Sequence, residues 1–204
     1  MSQSIIALLL GFGGSFVGAI PIGPINMTVL KTSSNNDLPS ARMMCYGAAT
    51  VEIFMGLSAL LIGTMVLHYL ESHPVLRGFI GLALILIGTT VLVTPARSND
   101  QPSIWSKFPP YLRGLIVASL NPQAIPYWLF IFAWYPLSEL INFEPYTVAL
   151  FLTGVFFGKL AILRSYSQLG KWGSERLMGH QKKLSAVLGG IFIVIGLSQL
   201  QFLF

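Results

Sequence analysis

The sequence is short of charge. Charged residues make up 9% of it against 54% hydrophobic residues, and the mean hydropathy is +0.72. A soluble domain carries roughly 25% charged residues, so this chain cannot cover itself with a wettable surface. Cysteine is nearly absent. Cys45 stands alone, which excludes an internal disulfide, a two-cysteine redox relay and a thiolate metal cluster. It reads as a small apolar packing residue. No Lys or Arg precedes Lys31, so the apolar start lacks the basic region of a signal peptide and reads as a mature span. The histidines are His68, His73 and His180, all in or beside loops. Ser15, within Gly13–Phe16, therefore has no base for intramembrane hydrolysis, and no enzyme is expected.

What is there is apolar length. Six windows of about 18 or more residues lack charge or nearly so, and each reads as a transmembrane helix. They run about Ile5–Leu30, Arg42–Tyr69, Leu76–Thr94, Tyr111–Tyr135, Tyr146–Tyr166 and Leu184–Phe204. A soluble core would explain one or two such windows, not six. The expected fold is therefore an all-α membrane protein, one transmembrane domain over 1–204. Six spans put both termini on one face. The opposite loops hold Lys31, Arg42, Arg97, Lys107, Arg113, Arg164, Lys171, Arg176, Lys182 and Lys183, against Arg77 alone on the terminal face. That bias places the basic loops in the cytoplasm and both termini outside it. The net charge of +5 then follows from topology and contact with anionic lipid, and no nucleic-acid partner is implied. Tyr69, Tyr111, Tyr135, Tyr146 and Tyr166 sit at span ends and read as interfacial anchors.

The stretch Pro95–Pro110 divides the chain into halves that align with each other, about 1–94 and 111–204. Gly81–Gly88 matches Gly189–Gly196, and Gly47–Glu52 matches Gly154–Lys159. The first span, with Pro21, Gly23 and Pro24, corresponds to the fourth, with Asn121-Pro122-Gln123 and Pro126. Three spans per half is an odd number, so the halves cross in opposite senses as an inverted repeat. Proline removes a backbone donor and clashes with the preceding turn, so the first and fourth helices should be broken. Freed carbonyls are tolerated at membrane depth only inside protein or against a wet cavity. Paired interrupted spans are the best pointer to a transporter's binding site. The candidate substrate-binding residues are therefore Pro21, Gly23, Pro24, Asn26, Asn121, Pro122 and Gln123. The rival reading of each break is a packing kink.

Two charges lie inside spans, Glu52 and Lys159, at matching repeat positions. A lone charge in the membrane must face a partner or water. Both are expected to line the cavity, with Glu52 taking up and releasing the coupling proton, and the sequence leaves open whether the two pair. The alternatives are a structural salt bridge for Glu52 and snorkelling for Lys159. Arg164 is expected to snorkel. Gly47, Gly56 and Gly63, Gly81 and Gly88, and Gly189, Gly190 and Gly196 read as helix-packing positions.

On these motifs the chain resembles the LysE/RhtB amino-acid exporter family of bacterial membrane proteins, over nearly its whole length. Pro21-Ile22-Gly23-Pro24 is similar to the family's Pro-Gly-Pro, with one residue inserted. Gly47–Glu52 is similar to its glycine-rich second span, with Glu where Asp is commoner. Asn121-Pro122-Gln123 is similar to Asn-Pro-Lys, with the lysine replaced. The resemblance implies proton-driven export of an amino acid or similar small metabolite across the bacterial inner membrane, with no cofactor and no bound metal. The expected partners are substrate, protons and lipid bilayer, with a homodimer left open. One repeat is expected to rock against the other. Two other functions compete: a divalent-metal exporter, which needs more oxygen or sulfur ligands than Glu52 supplies, and a scaffold, which has no need of the breaks.

Overall fold

The computed structural model describes residues 2–20, 23–72, 74–93, 107–121 and 144–170, with scattered positions in 124–131 and 186–200. The described residues are helical, with no strand among them. α1 is Ser2–Gly18, α2 Pro24–Ser34, α3 Leu38–Ser72, α4 Pro74–Val93, α5 Pro110–Ser119 and α6 Pro145–Leu169. Four of these open on proline, whose fixed φ suits the first helical position and whose missing N–H would have no partner there anyway. The first expected span is two helices, because the chain leaves helical geometry between Gly18 and Pro24. The fourth likewise stops at Ser119, before Asn121. The second, third and fifth spans are continuous and a few residues longer than expected. α3 and α6 each contain 25 residues long and apolar enough to cross a bilayer, Leu38–Ile62 and Pro145–Leu169. Large apolar side chains face outward along the helices, among them Leu9, Phe54, Phe79 and Phe157.

Helices meet along glycine seams. On α1, Gly11 faces Phe151 of α6 so closely that a Cβ would run into its carbonyl oxygen. Gly154 and Gly158 of α6 meet the carbonyls of Leu8 and Phe12 in the same way. α3 and α5 repeat the arrangement, with Gly47 against the Tyr111 carbonyl and Gly114 against that of Met44. Gly88 and Gly81 of α4 lie against Gly189 and Gly196, where added Cβ atoms would approach carbonyls to 2.6–2.7 Å. Small residues of this kind let backbones touch, which is how apolar helices gain packing energy where lipid competes for every apolar face. A Cβ on Gly56 would make only ordinary contact, 3.6 Å from the Val155 methyls, and one on Gly190 would meet nothing. Two apolar clusters flank the centre. One joins α2, α3 and α6 through Ile25, Val29, Met44, Cys45 and Leu163. The other gathers Ala7, Leu60, Trp128, Phe151 and Val155.

Candidate functional site

The break after α1 is closed by side chains. The N–H groups of Ala19 and Ile20 reach back to Ser15, Phe16 and Val17, tightening the last turn. Gly23 is extended, with φ −90° and ψ −178°, and α2 restarts at Pro24. The carbonyls left without helical donors are then supplied locally. Asn26 Nδ2 donates to Ala19 O at 2.8 Å, and the Tyr166 hydroxyl of α6 donates to Ile20 O. Tyr127, beyond the second break, donates to Gly14 O at 2.6 Å. These bonds matter because a buried unpaired carbonyl costs about 1–3 kcal/mol.

Glu52 and Lys159 meet. Lys159 Nζ lies 3.0 Å from Glu52 Oε2, with side chains 6% and 8% exposed respectively. The other carboxylate oxygen, Oε1, accepts from Trp128 Nε1 at 2.9 Å. α3 thus supplies the acid, α6 the base, and the helical segment after the second break the indole. The pair borders a cavity of about 40 Å³, the space open to water centres, lined also by Gly18, Ala19, Gly23, Ile25, Asn26, Asn121, Ala124, Tyr127 and Phe192. About one probe sphere, 10–15 Å³, suffices for a water, so the cavity can hold a few.

Of the residues expected at the site, Gly23, Asn26, Asn121, Glu52 and Lys159 come together around this cavity, and Pro24 opens the helix beside it. Pro21, Pro122 and Gln123 lie outside the described residues. Sequence reasoning missed Trp128, Tyr127 and Tyr166. Tyr166, expected at an interface, is 5% exposed and braces the break. No local signal marks Tyr127 or Trp128, whose roles come from tertiary packing against α1 and α3. Arg164 is exposed as expected, with its guanidinium 5.3 Å from the Tyr46 ring centroid. Snorkelling does not describe Lys159, which is held inside by its acid.

The arrangement is a polar cavity walled by two interrupted helices and an internal ion pair, in a chain of long apolar helices. No curated protein and no solved structure matches the chain. A family model does, that of the LysE type translocator, over residues 16–201. Both breaks and both buried charges fall inside that range, and the chain belongs to the LysE type translocator family, which makes it a membrane transporter.

Proposed function

We propose that this transporter exports an amino acid or similar small metabolite from the cytoplasm across the cell membrane, with proton entry driving the cycle. The observation that carries the reading is the Glu52–Lys159 pair, buried at a cavity bordered by both helix breaks. Placing one charge at the bilayer centre costs about 2.5 kcal/mol or more. A pair kept beside a polar cavity is therefore better explained by use than by packing. A zwitterion carries the same two charges, so its carboxylate suits Lys159 and its ammonium suits Glu52. A divalent cation is a poorer fit, because the carboxylate it would seek already faces an ammonium. Gly23, Pro24, Asn26 and Asn121, with Pro21, Pro122 and Gln123, would hold the substrate's polar ends.

The cavity has room for only a few waters, so substrate binding requires its walls to part. The glycine seams support a way of parting them. Gly47 meets Tyr111 and Leu115 as Gly154 meets Leu8 and Phe12, and Gly114 meets Met44 as Gly11 meets Phe151. Positions 47 and 154 are 107 apart, as are 44 and 151, and positions 8 and 111 are 103 apart, as are 11 and 114. Such an exchange of partners supports two three-helix repeats related by a pseudo-two-fold axis; the placing of both termini outside rests on the Lys and Arg bias of the loops. The exchange also favours moving bodies that cross the repeats, α1 with α6 and α3 with α5. Backbone-to-backbone seams have no slack for sliding. The α3–α6 interface is made by side chains, such as Val155 against Gly56, and it carries the ion pair. Protonating Glu52 removes the attraction across that boundary and lets the bodies separate.

The test uses inside-out vesicles and labelled amino acids, with and without an imposed pH gradient. Gradient-driven uptake of one class, abolished in Glu52→Gln, is the expected result. Uptake in that variant that follows the gradient as before removes Glu52 from coupling. No uptake of any amino acid by folded protein overturns the substrate assignment.

A further inference from the structure

Trp128 is fully buried and ties the resumed fourth span to the carboxylate of Glu52. Its ring is held on three sides. Phe151 and Tyr127 lie edge-to-face at 5.8 Å, and Gly14 of α1 is so near that a Cβ there would stand 3.4 Å from the ring. A wedged indole has little freedom to re-aim its N–H. Indole nitrogen donates and cannot accept. The bond to Glu52 Oε1 therefore holds one carboxylate oxygen while Lys159 holds the other. Among the described residues the charged or titratable groups around Glu52 are Lys159 on α6 and Tyr127 beside Trp128.

We propose that Trp128 is a positioning residue for transport: its indole N–H keeps the Glu52 carboxylate turned toward Lys159, and so couples the charge of Glu52 to the helical segment beyond the break at Asn121. The inference rests on the coupling role assigned to Glu52 above. When Glu52 gains a proton the Lys159 attraction goes, and the indole becomes its remaining tether. The tether belongs to the fourth span, so the proton's arrival is felt at the second break as well as at the boundary between α3 and α6.

Two measurements test this. In the first, Trp105, Trp134 and Trp172 are changed to Phe, leaving Trp128 as the sole indole in protein held in lipid nanodiscs. Its emission maximum is followed from acid to alkaline pH. A single step is expected, absent when Glu52→Gln is added. Emission that is flat, or that follows pH identically in both proteins, overturns the proposal without recourse to any substrate. In the second, Trp128→Phe keeps the ring and deletes the donor. A hydrogen bond to a charged group is worth about 1.5–3 kcal/mol and one pH unit is about 1.4 kcal/mol. The half-maximal pH of amino-acid uptake should move up by about one to two units, because the anion has lost a donor. An unmoved profile in folded Trp128→Phe overturns the positioning role. If Glu52→Gln leaves uptake responsive to the gradient yet still erases the emission step, the coupling role falls and the contact stands.

Discussion

The seam between α1 and α6 and the seam between α3 and α5 are built alike but are not equally long. Each begins with reciprocal glycines set against carbonyls, Gly11 and Gly154 in one, Gly114 and Gly47 in the other. One turn further on, α6 has Gly158, still in backbone contact with Phe12. The matching position of α3 is Val51, 107 residues earlier. There the helices part, and a groove of about 430 Å³ opens, lined by Thr50, Val51, Phe54, Met55, Ser58, Leu115 and Ser119. One glycine therefore decides whether a seam stays closed for another turn. The lesson is that the two bodies share a plan without sharing stiffness, and that the α1–α6 body is the tighter.

Adding bulk at the two matched positions should break this comparison most sharply. Gly158→Val puts a branched side chain against the Phe12 backbone, and a backbone cannot step aside as a side chain can. Overpacking costs typically 1–3 kcal/mol and occasionally more, and here the upper end or outright loss of folded protein is expected. Val51→Leu adds only one methylene, at a position that is buried yet lines the groove, and should cost less than about 1.5 kcal/mol. Thermal melting of both variants in detergent measures the contrast. Equal losses would mean that the groove is not available space and that the seams are equally tight.

The ion pair sharpens the comparison next, because it joins one body to the other. Lys159→Met leaves the Glu52 anion buried without its partner, which costs about 3–5 kcal/mol in such cases. The double variant Glu52→Gln, Lys159→Met removes both charges and should recover most of that loss. If melting shows no recovery, Lys159 contributes packing and not charge compensation.

Much of this was legible in the sequence, and the reason lies in the kind of signal. The breaks at Pro24 and Asn121 were readable because proline acts on its own backbone. That Glu52 and Lys159 face one cavity was readable because each follows a glycine by the same spacing; that they pair at 3.0 Å was not, since pairing depends on how α3 and α6 pack. Gly47 and Gly88 were readable as packing positions, whereas Gly11, Gly114 and Gly158 were not, since a glycine in an apolar helix gives no sign of which neighbour approaches it. Tyr166 and Trp128 were illegible for a different reason. Aromatics in a membrane chain anchor at interfaces as a rule, and only tertiary packing shows that these two serve buried carbonyl and carboxylate oxygens.

Tyr166 gives a smaller effect than the charges. It belongs to the tighter body and reaches the first break, so Tyr166→Phe deletes one O–H and leaves the Ile20 carbonyl without that donor. A loss of about 1–3 kcal/mol is expected. Asn26→Ala, which strips Ala19 O of its donor, should behave alike. The two losses should not fully add, because the two donors serve adjacent carbonyls of one break, which relaxes as a unit. Additive losses would show that the two carbonyls are braced independently.

The smallest expected effect separates the two bodies at their helix starts. α3 is capped: Asp37 Oδ1 accepts from Ser40 N at 3.1 Å. α6 begins after Glu144 with no side-chain cap. Hydrogen bonds from the Ser40 side chain and backbone hold the Asp37 carboxyl below its ordinary value, with the Arg113 charge adding a little. A lowered folded-state value fixes the sign. The cap's contribution is complete above the unfolded carboxylate value, about pH 4, and is lost as pH falls through the lower folded value. Asp37 is fully exposed, so the effect is slight and salt weakens it. Asp37→Asn keeps an N-cap acceptor but cannot titrate, so melting curves of this variant and the native chain should differ less in acid than at neutral pH. Glu144→Gln should leave the acid dependence as it was, since no cap is there to lose. A native acid dependence that survives Asp37→Asn unchanged would place its origin elsewhere on the chain and leave the two helix starts equivalent.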